Sequence, residues 1–229
     1  MKKLVLISAI ILVTAGLYAQ DSFFASKPGM ELLYANNNAK GKTTGYTQLV
    51  IRDVQGSGKN MTITYGSQSL DSKRMPPSDS PEEMTLKVIV TDGVVRMDLN
   101  QAIPAELRQQ GTNIEISGDP MELPDNLQPG QTLKDSSVTM TVDMVITKLT
   151  TVINMTDGKC LAIEDITVPA GTFTCSKVTQ TVTSTIMKKT NSGTTISWYA
   201  PNIGTVKTET YDSKGKPVSS MVLVELKGN

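Results

Sequence analysis

Val138-Thr139-Met140-Thr141-Val142-Asp143-Met144-Val145-Ile146-Thr147-Lys148-Leu149-Thr150-Thr151-Val152-Ile153-Asn154-Met155 is the stretch that decides the fold. Val138, Met140, Val142, Met144 and Ile146 fall on one parity, with Thr139, Thr141, Asp143 and Thr147 on the other. Alternation with a period of two is the mark of a pleated strand that is apolar on one face. The parity then changes, and Leu149, Thr151, Ile153 and Met155 carry the series. A one-residue shift exchanges the two faces of a strand. The reading is one long strand with a bulge or bend near Thr147-Lys148. A long strand bent in the middle suits the wall of a strongly curved sheet.

The same alternation extends outward in both directions. Leu32–Ala35 and Tyr46–Val54 flank a polar turn, and Met61, Ile63 and Tyr65 alternate with Thr62 and Thr64. Thr91-Asp92-Gly93 separates Leu86–Val90 from Val95–Leu99, and Asp-Gly between alternating runs predicts a hairpin. Val178, Val182 and Ile186 face away from a threonine series, and Ile196–Ala200, Thr205–Tyr211 and Val218–Leu226 close the chain. Lys40-Gly41-Lys42 near the start echoes Lys214-Gly215-Lys216 near the end, which reads as two similar hairpins rather than a repeat. One two-turn helix is expected from Pro104 to Gly111. The Pro-rich loops Asp71–Glu83 and Ser117–Ser137 interrupt the strands. The expected class is all-β: an antiparallel, strongly curved sheet forming an open or closed barrel, with at most one short helix.

Met1–Ala19 has two lysines, a fourteen-residue apolar run from Leu4 to Leu17, and a small residue at Ala19. This pattern reads as a secretory signal peptide. Its apolar run is shorter than the roughly twenty residues of a spanning helix. The expected organisation is a leader over 1–19 and one mostly-β domain over 20–229, with a two-lobe division within 117–137 as the alternative. The expected location is exported: periplasmic or outer-membrane associated, or secreted, with no transmembrane segment after cleavage. The whole chain has 22 basic and 22 acidic residues. Removing Lys2 and Lys3 leaves 20 against 22, or −2. An interspersed, near-neutral surface carries no footprint for nucleic acid or an anionic membrane.

The chain has no histidine, which excludes Ser-His and Cys-His nucleophile pairs and imidazole metal sites. No phosphate- or dinucleotide-binding glycine pattern is present, so no cofactor and no metal is implied. Glu164-Asp165 and Glu82-Glu83 are the adjacent carboxylate pairs. Neighbours on a strand point to opposite faces, so Glu164 and Asp165 do not make a shared acid–base site. No catalytic residue is assigned, and the chain is not expected to be an enzyme.

Cys160 and Cys175 fit an oxidising compartment, and a bridge would close a loop of about fifteen residues, worth about 3 kcal/mol. Local geometry argues the other way. A tight turn at Pro169-Ala170-Gly171 would set Cys175 opposite residue 164 or 165, too far from Cys160 for a bridge limited to about 7 Å. A bulge or wider loop would remove the conflict, and a disulfide is the expectation. Met140, Met144 and Met155 fall on apolar series and are candidates to line a site for an apolar ligand, or to fill a plain core. Trp198-Tyr199 reads as a core pair, with a binding rim as the alternative.

Val168-Pro169-Ala170-Gly171-Thr172-Phe173 with Cys175 and Lys177, then Trp198-Tyr199-Ala200-Pro201 with Gly204-Thr205-Val206-Lys207, resembles the domain-of-unknown-function 3108-like family of exported Bacteroidota proteins. Leu123-Pro124 through Asp135 is similar to the family's middle segment. The resemblance implies a curved, mainly antiparallel β-structure and carries no catalytic residues. A looser likeness, of architecture alone, is to periplasmic lipoprotein carriers. The expected role is a non-catalytic structural or interaction module of the envelope, with an unknown envelope protein as partner. The alternative is a carrier for a hydrophobic ligand such as a lipid.

Overall fold

Every described strand pairs antiparallel with its neighbours, and all of them join one sheet. The computed structural model describes residues 22–77, 83–98, 114–143 and 148–228. Among these, thirteen strands follow in order. They are β1 (Glu31–Asn38), β2 (Thr43–Ser57), β3 (Asn60–Leu70), β4 (Met84–Thr91), β5 (Val94–Met97), β6 (Ile114–Asp119) and β7 (Leu123–Pro124). β8 (Ser136–Asp143), β9 (Lys148–Val168), β10 (Gly171–Ile186), β11 (Lys189–Ala200), β12 (Gly204–Asp212) and β13 (Pro217–Lys227) complete the set. Their order across the sheet is β6-β8-β9-β10-β11-β12-β13-β1-β2-β3-β4-β5-β7. The expected leader, the helix at Pro104–Gly111 and Met144 lie outside the described residues.

Among the described residues the sheet is open, so the all-β antiparallel expectation holds while the expected open or closed barrel is corrected to an unclosed sheet. Its edges are β6 and β7, and no ladder among the described residues joins them. β7 is only two residues long and ends at Pro124, which has no N–H to extend a ladder. The chain then crosses to β9 instead of β6. Gly130 N–H donates to Cys160 O at 2.8 Å, Cys160 N–H to Gln131 O at 2.9 Å and Leu133 N–H to Gly158 O at 2.8 Å.

Val138–Met155 is a hairpin, not one bent strand. β8 ends at Asp143 and β9 begins opposite it at Lys148. A parity change can mean either a bulge or a reversal, and here the chain reverses. Val142 then faces Leu149, and Val138 faces Ile153, so both apolar series share one face. The Asp-Gly hairpin is as expected: Thr91 pairs with Val94, and Asp92 and Gly93 have φ of 51° and 79°.

One apolar cluster spans β1 to β5, β7 and β9 to β13. Leu32, Ile51, Ile63, Leu127, Val206 and Leu223 are fully buried within it. The N-terminal segment adds Phe23 and Ala25, and the crossing segment adds Leu127 and Leu133. Tyr34, Tyr65 and Tyr199 are buried phenols. Burial raises all three, with Tyr65 pushed up to about 12. A neutral phenol that resists ionisation in the fold stabilises it below the unfolded value of about 10, and that contribution is lost as pH rises above it. Absorbance titration at 295 nm should therefore show these three tyrosines ionising only with cooperative alkaline unfolding.

Candidate functional site

The wing formed by β6, β8, β9 and the upper part of β10 has two chemically distinct faces. Cross-strand partners share a face, so the register sorts the side chains. Ile114, Val142 and Leu149 form one row, and Ile116, Met140 and Ile186 form the next with Thr151 between them. Val138 with Ile153, and Met155 with Val182, continue the same face. The opposite face is a hydroxyl ladder. Ser137 Oγ donates to Asn154 Oδ1 at 2.7 Å, and Thr183–Ser192 and Thr185–Thr190 pair at 3.2 and 3.0 Å.

The apolar face stands outside the buried cluster. None of its residues belongs to that cluster or packs against it. Met140 is 36% exposed, Ile153 37% and Ile186 44%. Met140 and Met155, both singled out from the sequence, therefore lie on one face that the described residues leave uncovered. Such contiguous apolar surface is rare on soluble monomers unless something binds there. Three clefts of about 210, 100 and 240 Å³ lie elsewhere, and neither Met140 nor Met155 lines them.

Trp198 centres the second cluster. It sits on β11 opposite Lys177 of β10 and Lys207 of β12. Both ammonium groups approach its ring, at 5.1 and 5.0 Å from the centroid. The indole N–H donates to Glu164 Oε1 at 2.8 Å, and Lys177 Nζ is 3.2 Å from the same oxygen. The Trp198 hydrogen bond, with Lys177 behind it, holds the Glu164 carboxyl below the ordinary range. Lys207 pairs in turn with Glu209 at 2.6 Å, and Tyr211 Oη donates to Glu209 Oε2 at 2.6 Å. Every charge here faces an opposite charge, which makes the cluster a lock across four strands. Trp198 is in the core, as its sequence setting indicates, whereas Glu164 was legible only as one of an adjacent carboxylate pair. The lock depends on β9–β10–β11–β12 registers that local pattern does not encode.

The cysteines are not bridged. Both are free and buried, which corrects the disulfide expectation. The turn at Pro169-Ala170 is tight, with Val168 paired to Gly171. Cys175 then faces Glu164, and Cys160 faces Val178. Cys175 and Val178 are three residues apart, about 10 Å along an extended strand, beyond the reach of a bridge. Burial, with Asp165 and Glu164 adding to it, pushes the Cys175 thiol up to about 12, and burial also raises Cys160. Both should be inert to a thiol reagent in the native protein, and two thiols should react after unfolding without reductant.

The motif residues are placed by backbone demands. Val168, Pro169, Ala170, Gly171 and Phe173 build the β9–β10 turn, with Gly171 at φ 140°. Tyr199 packs on Phe23 with ring centroids 6.3 Å apart. Pro201 opens the β11–β12 turn, where Asn202 N–H donates to Ser22 O at 2.9 Å. Gly204 has φ 91°, and a Cβ there would lie 3.3 Å from Phe23 O. The turn is thus clasped by the N-terminal segment, and its residues read as structural.

Among the described residues, fold and surface together define an open antiparallel β-sheet with an uncovered apolar wing. The chain belongs to the DUF3108-like family, whose model matches residues 27–223. Two solved structures share the fold. One is described as an exported protein with a YmcC-like fold, from Bacteroides fragilis, and aligns with a TM-score of 0.71 at 22% identity. The other is described as a lipoprotein, from Parabacteroides distasonis, with a TM-score of 0.70 at 22% identity. Each alignment covers 90% of this chain and 99% of the other. At that identity the likeness establishes the fold. No curated protein matches the chain.

Proposed function

We propose that this chain is a non-catalytic interaction module of the cell envelope, and that a hydrophobic partner sits on the apolar face of the wing. The observation that carries the reading is the sorting of the β8–β9 hairpin. Val138, Met140, Val142, Leu149, Ile153 and Met155 share one face, the hydroxyls take the other, and the apolar side stays outside the core. Export is supported by the leader-like Met1–Ala19 and by the descriptions of the two structural neighbours. The absence of catalysis is supported by the chain's lack of histidine and by the local commitment of Glu164 to Trp198 and Lys177.

A second reading, a carrier for a lipid-like ligand, is favoured by Met140 and Met155 on that face, since methionine adapts to varied apolar shapes. It would hold its ligand on an open sheet rather than inside a closed barrel.

The test compares Met140→Asp and Ile153→Asp with Thr139→Asp on the hydroxyl face. Binding of the apolar dye 8-anilinonaphthalene-1-sulfonate should fall several-fold in the first two and stay unchanged in the third. Equal dye binding in all three, with native circular dichroism, would contradict the reading. Solvent extraction of protein taken from its own envelope separates the two readings: a stoichiometric lipid favours the carrier, and none favours the module.

A further inference from the structure

We propose that the end of the sheet carrying the β1–β2, β10–β11 and β12–β13 turns is a docking surface for an anionic bilayer. The Lys-Gly-Lys echo in the sequence becomes a structural identity. In the β1–β2 turn, Asn38 Oδ1 accepts from Lys40 N–H at 2.9 Å and Lys42 N–H at 3.2 Å. In the β12–β13 turn, Asp212 Oδ1 accepts from Lys214 N–H at 2.8 Å and Lys216 N–H at 2.9 Å. Gly41 and Gly215 have φ of 74° and 76° and donate back to Asn38 O and Asp212 O, each at 2.9 Å. β13 pairs with β1, so the two tips stand side by side, two strand spacings or about 10 Å apart.

The row continues on both sides. The β10–β11 turn at the same end bears Lys188 and Lys189, and the segment leaving β3 bears Lys73. All seven lysines are exposed, and none is held in an ion pair among the described residues. The described carboxylates here are committed locally. Asp212 caps its own turn, Asp71 Oδ1 accepts from Lys73 and Met75 N–H, Asp143 faces Lys148, and Glu209 is taken by Lys207 and Tyr211. Glu115 stands apart on edge strand β6. The opposite end differs. Its turns, Gly58-Lys59, Asp92-Gly93, Pro169-Ala170 and Pro201-Asn202, hold one lysine, 3.2 Å from Asp125, and beside them, among the described residues, stand only Lys27 and Lys227, the latter 3.7 Å from Glu31.

Charge alone would suit any polyanion. The second observation favours a bilayer: the same tips present apolar side chains to water. Met187 is 66% exposed and Met75 61%, with Ile186 and Val218 beside the lysines of their turns. Apolar groups among lysines insert at a lipid interface while the ammonium groups meet anionic headgroups. A flexible acidic polymer would leave Met75 and Met187 exposed. The near-neutral total charge conceals this surface, because the lysines are gathered only when alternate hairpins bring their tips to one end.

The test is co-sedimentation of the full chain with vesicles of phosphatidylcholine alone and with about a third phosphatidylglycerol. Binding to the anionic vesicles should exceed binding to the neutral ones at least tenfold and weaken with salt. The variant K40Q/K42Q/K214Q/K216Q should lose at least tenfold. Met187→Ser should lose a further few-fold at unchanged charge, and Lys27→Gln at the other end should change nothing. Equal binding to both vesicles, or undiminished binding by the four-lysine variant, would overturn the proposal. So would retention on heparin, lost in that variant, without vesicle binding; the partner would then be a soluble polyanion. Circular dichroism of each variant confirms folding. The apolar wing has a separate test, so failure here leaves that reading intact.

Discussion

Trp198→Ala should destabilise the protein by about 3–5 kcal/mol, the cost of emptying a buried large aromatic site. For a domain of this size, that lowers the melting temperature by about 10 °C. The indole is 6% exposed and joins three neighbours from three other strands. Its removal also ends two cation–ring contacts of about 0.5–1 kcal/mol each. Trp198→Phe separates the parts. It keeps most of the packing and the ring face but deletes the N–H to Glu164. That variant should cost about 1 kcal/mol, the ordinary net value of one hydrogen bond. It should also let the Glu164 carboxyl rise towards its ordinary value. A depressed carboxylate stabilises the fold above the unfolded value of about 4.3, and that contribution is lost as pH falls through the folded one. The gap between wild-type and Trp198→Phe stabilities should therefore narrow as pH falls below the unfolded value of about 4.3. Urea unfolding at pH 7 and pH 3.5 checks both statements.

Gly93→Ala should cost about 3 kcal/mol or more, from backbone strain and a displaced carboxylate together. Gly93 has φ 79°, and a Cβ there would come within 2.2 Å of the Asp125 carboxylate. Asp125 has nowhere easy to move. Its side chain is 5% exposed, its N–H donates to Gly93 O at 3.0 Å, and its carboxylate lies 3.2 Å from Lys59 Nζ. The double variant Gly93→Ala/Asp125→Ala removes the clash and keeps only the strain. Its cost should be smaller than the sum of the two single costs, a coupling read directly from a double-mutant cycle. An additive result would mean that strain alone limits position 93.

The strands were legible in the sequence wherever one face was apolar and the turn chemistry was local. Asp92-Gly93 is the plainest instance, because both left-handed residues sit in the turn itself. Val138–Met155 shows the limit. The parity switch was visible, but a bulge and a hairpin produce the same switch, and only pairing of Asp143 with Lys148 separates them. The cysteine pair shows a different limit. The turn at Pro169-Ala170 predicts their misalignment, whereas the compartment argued for a bridge, and strand geometry prevailed. The apolar surface was partly legible too. Met140 and Met155 were identified, but how open they lie depends on how far the core reaches along the sheet, since Val182 opposite Met155 shares its β10 face with buried Val178. Glu164 and the lysine tips were hidden for one reason: each gains its setting from strands far apart in sequence.

If the apolar face of the β8–β9 wing is a working surface, something in the envelope must touch it. The most direct measurement is photo-crosslinking in the native envelope from a photoreactive residue at position 140, compared with position 139 on the hydroxyl face. A working surface should give one reproducible protein or lipid adduct from 140 and only background from 139. Equal adducts from both positions, or an intramolecular link alone from 140, would contradict it.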